Sequence, residues 1–261
     1  MDLKSVLRTC FVLFLLSRGT AIAAPSTSNC ARLDYEISPK QAEASKQSFQ
    51  RSLSGLYSIN SWRQANIMQP YAHIDQLYQV APKAQLELAT LVKEVGMISK
   101  TTTVLPDVKS KDRAEAKIAS ELNGDASKIT DLARASIVAD NIPELVQAFE
   151  LIGKESQIVA VKNRFKQPNA SGYRDLKVLV ELPESKMIAE IQLHLDAIST
   201  VKNGDEHAIY EEIQKIERNA TDQSRELSEF EVAQINKLRT TSKTLYHNAW
   251  QQYLQPNRIA V

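Results

Sequence analysis

The stretch "MIAEIQLHL", Met187–Leu195, sets Glu190 and Gln192 two residues apart, with Ile191 and Leu193 in the alternate positions. A period of two is that of a β-strand, whose side chains point to opposite faces in turn. One face of this strand is therefore polar and the other apolar. An acid inside a β-run costs several kcal/mol when it is buried without a partner, so Glu190 needs a reason to be there.

Reading outward, "YRDLKVLVEL" (Tyr173–Leu182) alternates Leu176, Val178 and Val180. This predicts a half-buried strand. Pro183-Glu184-Ser185-Lys186 between the two runs predicts a hairpin loop. "SQIVAVKNRF" (Ser156–Phe165) and "ARASIVA" (Ala133–Ala139) predict two more strands, and Pro143 opens a helix through Leu151. On the N-terminal side, Ser38-Pro39 with Gln41 has the form of a helix start, leading to about Tyr57. Residues 73–95 carry Ile74, Leu77, Ala81, Ala84, Leu88, Leu91 and Val95 at helical spacing. After about Ala197 the pattern is helical again, over 207–218 and 221–254. The expected fold is α/β (α+β), a mixed sheet flanked by helices with extra helices at both ends.

Lys4 and Arg8, the short apolar run "CFVLFLL" and then "AIAA" (Ala21–Ala24) form the pattern of a secretory signal peptide. The apolar run is shorter than the roughly 20 residues a bilayer span needs. Cleavage there would remove Cys10 and leave Cys30 without an intramolecular partner. With 32 Lys+Arg against 31 Asp+Glu, the chain lacks the basic field of a general DNA or membrane-surface binder. Any basic site must be local.

Four groups of residues have chemistry. If the strands after Asp131 and around Glu190 are neighbours, the two acids converge on one divalent cation, with Mg²⁺ favoured by oxygen ligands and phosphate partners. The alternative is that Asp131 caps a turn and Glu190 faces solvent on an edge strand. Lys109 and Lys117 lie about two helical turns apart, in a stretch that is helical by propensity, and either bind phosphates or form a solvated helix face. In "SGYRD", Gly172 permits a sharp turn or a close approach to a ligand. Tyr173 offers a ring on which a base stacks, worth about 1–3 kcal/mol, or else sits in the core at a loop-to-strand junction. His194 and His207 are candidate acid–base groups without zinc-site spacing.

Taken in order, these segments resemble the synthetase domain of the RelA/SpoT family, the alarmone synthetases. That family writes two lysines eight apart, then "DIAGxR", "KDYI..P..NGYRSLH", "VEIQIRT" and a helix with "EH". This chain has Lys109 and Lys117, "TDLARASIV", "VKNRFKQPNASGYRDLKV", "AEIQLHL" and Glu206-His207, with the family's spacing from Lys162 to Tyr173. The resemblance covers about 100–217. The expected division of the chain is a signal peptide at 1–23, a linker and helical region at 24–99, the synthetase-like domain at 100–217 and a helical extension at 218–261.

It also implies a nucleotidyltransferase-like sheet and transfer of pyrophosphate from ATP to the 3′-hydroxyl of a guanine nucleotide or an RNA end. Asp131 would bind Mg²⁺, and Glu190 would hold the metal or activate the acceptor hydroxyl. Tyr173 would stack on guanine, and Lys109 and Lys117 would neutralise donor phosphates. Gly172, Lys162, Gln192 and His207 fall on motif positions at the substrate. The departures concentrate on the donor side. Asp107 and Ser136 stand where the family has adenine-clamping arginines, and Arg134 lies two residues from the second, on the same strand face. Ser171, Lys177 and His194 replace Asn, His and Arg. A variant reading follows, of a nucleotide-binding or interaction module that kept the fold and lost the transfer chemistry.

Overall fold

The computed structural model describes residues 53–254. The expected signal peptide, the linker and the helix start at Ser38 lie outside the described residues. Six strands form one mixed sheet: β1 (Trp62–Arg63), β2 (Thr102–Val104), β3 (Arg134–Ala139), β4 (Gln157–Asn163), β5 (Leu176–Glu181) and β6 (Ile188–Leu195). Their order is β1-β4-β5-β6-β3-β2. Among the described residues only β3 and β6 pair in parallel; the other pairs are antiparallel. The helices are α1 (Ile74–Ser99), α2 (Lys111–Glu121), α3 (Ile142–Glu155), α4 (Asp196–Asn203), α5 (Asp205–Asp222) and α6 (Glu229–Leu254).

One sheet face is the core. Ala135, Ile137 and Ala139 of β3, Leu176, Val178 and Val180 of β5, and Ile191, Leu193 and Leu195 of β6 are all buried there. α1 and α3 pack against each other and against β3 on this side. The buried stripe of α1 runs through Leu77, Ala81, Ala84, Leu88, Leu91 and Val95, which is the spacing the sequence predicts. The helix continues to Ser99 and stops at Lys100 in a left-handed conformation, φ 60°. At the start of α3, Asn141 accepts a hydrogen bond from the Glu144 backbone N–H through its side chain, with Pro143 in the first turn.

The opposite face carries a polar row beside a small buried cluster of Ile67, Leu179 and Ile188. Lys162, Lys177, Gln192 and Ser136 are aligned in register across β4, β5, β6 and β3. β6 thus keeps the polar and apolar faces that its alternation predicts.

Three local expectations change. The strand expected from Tyr173 starts at Leu176, because the preceding backbone turns instead: Asn169 N–H bonds to Tyr173 O, and Gly172 N–H to Asn169 O. The helix expected over 221–254 is broken between Asp222 and Glu229. There Ser228 and Glu231 form a reciprocal capping box: Ser228 N–H donates to Glu231 Oε2 at 2.9 Å, and Glu231 N–H to Ser228 Oγ at 3.3 Å. The two-residue β1 and three-residue β2 edge strands were not anticipated.

α4, α5 and α6 pack on one another, and α4 also meets β6 and β3. Tyr246, Ala249 and Trp250 of α6 join the main core. Arg174 lies over the Trp250 ring, 5.2 Å from its centroid.

Candidate active site

The site forms where β3 and β6 run side by side. Glu190 N–H donates to Ala133 O at 3.0 Å, and Arg134 is the register partner of Glu190. Asp131 ends the segment that leads into β3. A cavity of about 670 Å³ opens above this junction, with Asp131, Arg134, Ser136, Tyr173, Glu190 and Gln192 in its wall. β6 is a central strand, and Asp131 and Glu190 are each only 8% exposed. The reading of Glu190 as a solvated edge residue is therefore excluded, and both acids face one cavity.

Each acid has a cation. Lys109 Nζ and Lys117 Nζ both donate to Asp131 Oδ2 at 2.8 Å. Burial pushes the Asp131 carboxyl up, but the hydrogen bonds and charges of the two lysines outweigh it and hold the group below its ordinary value. The lysines were expected to share a helix face; in fact Lys109 precedes α2. Its backbone N–H bonds to Leu132 O at 3.1 Å, which lays it along the Asp131 segment, while Lys117 reaches in from the helix. On Glu190, Lys177 Nζ donates to Oε2 at 3.0 Å and Gln192 Nε2 to Oε1 at 2.7 Å. Lys177, one of the departures from the family pattern, thus neutralises Glu190.

The donor set suits Mg²⁺. Asp131 Oδ1 is buried and has no hydrogen-bond partner among the described residues. A hard cation that keeps several waters needs only one or two carboxylates beside substrate phosphates. No cluster of three or more ligating side chains occurs among the described residues. Asp131 Oδ1 and Glu190 are the groups that would hold the ion.

Behind the acids runs a buried chain of polar groups. Tyr173 O–H donates to Asp175 Oδ2 at 2.8 Å, and Arg164 donates to Asp175 Oδ1 at 2.6 Å. The Tyr173 oxygen therefore accepts from His194 Nε2, 2.7 Å away. That assignment leaves His194 Nδ1 as the bare nitrogen, and it is buried without a partner. Burial drives the Tyr173 phenol far above its ordinary value and the Asp175 carboxyl up. The Tyr173 ring also meets the edge of Tyr246 at 5.6 Å between centroids. Tyr173 is thus both a wall of the cavity and a fixed part of the packing.

His194 makes one prediction of its own. Burial, then the charges of Lys202 and Arg164, lower it from 6.5 to about 3. The unfolded chain therefore takes up a proton that the folded one refuses, and stability falls as pH drops from 6.5 toward 3. Asp175, raised by burial, works in the opposite sense, since the folded chain takes up that proton at a higher pH than the unfolded one. In His194→Gln the loss of melting temperature between pH 6.5 and 4 should be visibly smaller than in the parent.

Gly172 was expected to permit a sharp turn or a close approach to a ligand. Its surroundings assign it to packing: φ is +83°, and an added Cβ would lie 3.1 Å from Lys243 Cα and 3.3 Å from Lys243 O. It lets α6 approach the turn, where Ser242 Oγ lies 3.2 Å from Ser171 O. Lys162 lies outside the main cavity, in a second hollow of about 510 Å³ with Trp62, Arg63 and Lys177. His207 is exposed at the cavity rim and pairs with Glu211 at 3.2 Å. Its neighbour Glu206 is buried, accepting from Ser242 Oγ and Tyr246 O–H at 2.9 Å each.

Sequence reasoning missed Lys202 and Tyr246, which also line the cavity. No motif marks Lys202; only its position in the last turn of α4 brings it in. Arg164 and Asp175 were legible only as charges flanking "SGY".

No protein-family model and no curated protein matches the chain. Solved structures do. The Type VI effector Tas1, in complex with its immunity protein, matches with a TM-score of 0.50 at 18% identity, over 68% of this chain and 96% of that one. This chain has the Tas1 fold. The small alarmone synthetase 2 of Bacillus subtilis matches at 0.48 with 19% identity, over 69% and 95% of the two chains. The small alarmone synthetase 1 of the same organism, bound to its product pppGpp, matches at 0.46 with 14% identity, over 68% and 95%. At 18% identity the likeness to Tas1 speaks to fold alone.

Proposed function

We propose that this chain is an exported pyrophosphokinase-like enzyme, acting as a toxin or effector inside another cell. It moves pyrophosphate from ATP to the 3′-hydroxyl of a guanine nucleotide or an RNA end. The 3′-oxygen bonds to the β-phosphorus of ATP, the bond from that phosphorus to the α-phosphate oxygen breaks, and AMP leaves. The hydroxyl proton passes to the Glu190 carboxylate. Mg²⁺, when bound, supplies charge neutralisation on the phosphates. Such a transfer asks of the protein mainly positioning and electrostatic stabilisation.

The observation that carries the reading is Asp131 Oδ1, a buried carboxylate oxygen without a partner on the wall of a cavity shared with Glu190. The ordered motifs and the shared fold support it. Export is supported by the pattern of residues 1–24. Because ATP and GTP are scarce outside the cytosol, an exported enzyme of this type finds substrates only after entering a cell.

A second reading, the binding module, is favoured by Ser136 in the cavity wall and the exposed Asp107, where the resemblance requires arginines. Neither residue substitutes for a planar clamp. The test incubates the protein with Mg²⁺, ATP labelled on its terminal phosphate and, separately, GDP, GTP and bulk tRNA. Label in an acceptor with equimolar AMP establishes the transfer and its substrate class. Guanine-nucleotide binding without label or AMP selects the binding module.

A further inference from the structure

The cations of this site fall into two sets. Lys109, Lys117 and Lys177 are spent on Asp131 and Glu190. Arg134 and Lys202 are not. Arg134 stands directly beside Glu190 in the parallel ladder, yet both Glu190 oxygens are taken by Lys177 and Gln192. The Arg134 backbone is fully engaged, its N–H with Gln85 Oε1 at 3.0 Å and its O with Gln85 Nε2 at 2.9 Å. Its Nε is nevertheless buried with no partner among the described residues. Lys202 Nζ has three donors and finds only Gln192 Oε1, at 3.4 Å. Neither side chain forms an ion pair among the described residues.

Both line the same cavity. Each is close enough to be felt by the other: burial lowers the Lys202 ammonium, the charges of Asp175 and Glu190 partly offset this, and Arg134 lowers it further. Two half-buried cations facing one space, each with donors unfilled, are costly unless an anion enters between them. Glu206 also borders the cavity, but its two oxygens are held by Ser242 and Tyr246.

The geometry points to Arg134 and Lys202 as a two-point clamp for a phosphate chain, with Lys202 a specificity-determining residue for di- and triphosphate ligands. A guanidinium offers a planar fork and an ammonium a point charge, a pairing that suits adjacent phosphate groups on one chain. The clamp rests on the pyrophosphokinase reading for its role: it would hold the ATP phosphates where the residues at 107 and 136 cannot. As a polyphosphate site it stands on its own geometry.

The test titrates the whole protein with inorganic tripolyphosphate, pyrophosphate and phosphate by calorimetry, in parallel with the labelled-transfer assay. Affinity should rise with the number of phosphates and fall with added salt. Lys202→Met and Arg134→Met should each weaken tripolyphosphate about tenfold or more, with unchanged melting temperature. Lys202→Arg should recover most of the loss, which a merely structural lysine would not show. Tripolyphosphate binding that both Met variants leave intact overturns the clamp, as does absence of such binding in a protein that transfers label. Binding that depends on both residues in a protein that transfers nothing sustains the clamp and removes the pyrophosphokinase reading.

Discussion

Glu190→Gln should abolish measurable transfer while leaving the melting temperature within about 1 °C of the parent. The carboxylate sits on central strand β6, 8% exposed, and the substitution keeps its shape. One hydrogen bond should survive in altered form, because the side-chain amide oxygen of the variant still accepts from Gln192. What disappears is the charge opposite Lys177 and, on the proposed function, the group that would take the acceptor proton. Loss of a positioned general base typically costs about 10²–10⁴-fold in rate. The cavity wall would lose its Glu190 charge and Lys177 beside it would be left uncompensated, so phosphate binding should tighten as turnover falls. Measured as initial rate of label transfer and as tripolyphosphate affinity, the two quantities should move in opposite directions. A variant that retains more than a tenth of the parent rate would show that the proton leaves by another route.

The central sheet was legible because its residues obey a simple period. Ile191 and Leu193 against Glu190 and Gln192 fix which face of β6 meets the core, and the structure keeps that assignment. The cavity followed from it once β3 lay beside β6. What escaped notice depends on neighbours distant in sequence. Gly172 reads as a flexible turn, and nothing nearby shows that Lys243 will pack against its Cα. Lys109 reads as helical because its neighbours favour helix, yet a backbone bond to Leu132 takes it out of α2. Lys202 carries no pattern; α4 puts it over Gln192 only after β6 turns into the helix at Asp196. The capping box of Ser228 and Glu231 was the exception. Its two residues stand three apart in the sequence, a spacing that marks a helix start and so divides the C-terminal helical stretch.

Asp175→Ala should be among the most damaging single changes, at about 3–5 kcal/mol. The carboxylate has no solvent exposure and is held by Arg164 and the Tyr173 hydroxyl. Removing it strands the Arg164 guanidinium, whose side chain is only 14% exposed. It also frees the Tyr173 hydroxyl to turn and donate to His194, which must then change tautomer and move its proton to Nδ1. The disturbance therefore reaches the cavity wall as well as the core. Chemical denaturation should show the midpoint fall with little change in slope. The double variant Arg164→Met with Asp175→Ala should be more stable than Asp175→Ala alone, because no buried charge is then left unpaired. Equal losses in the single and double variants would mean that the ion pair is not what holds this corner, and that packing of Phe165 against Trp250, 5.5 Å between ring centroids, does so instead. The same comparison bears on function. If the double variant recovers stability but not nucleotide binding, the chain from Arg164 through Asp175 to Tyr173 acts to orient the tyrosine ring, and its retention in the core is a feature of the site.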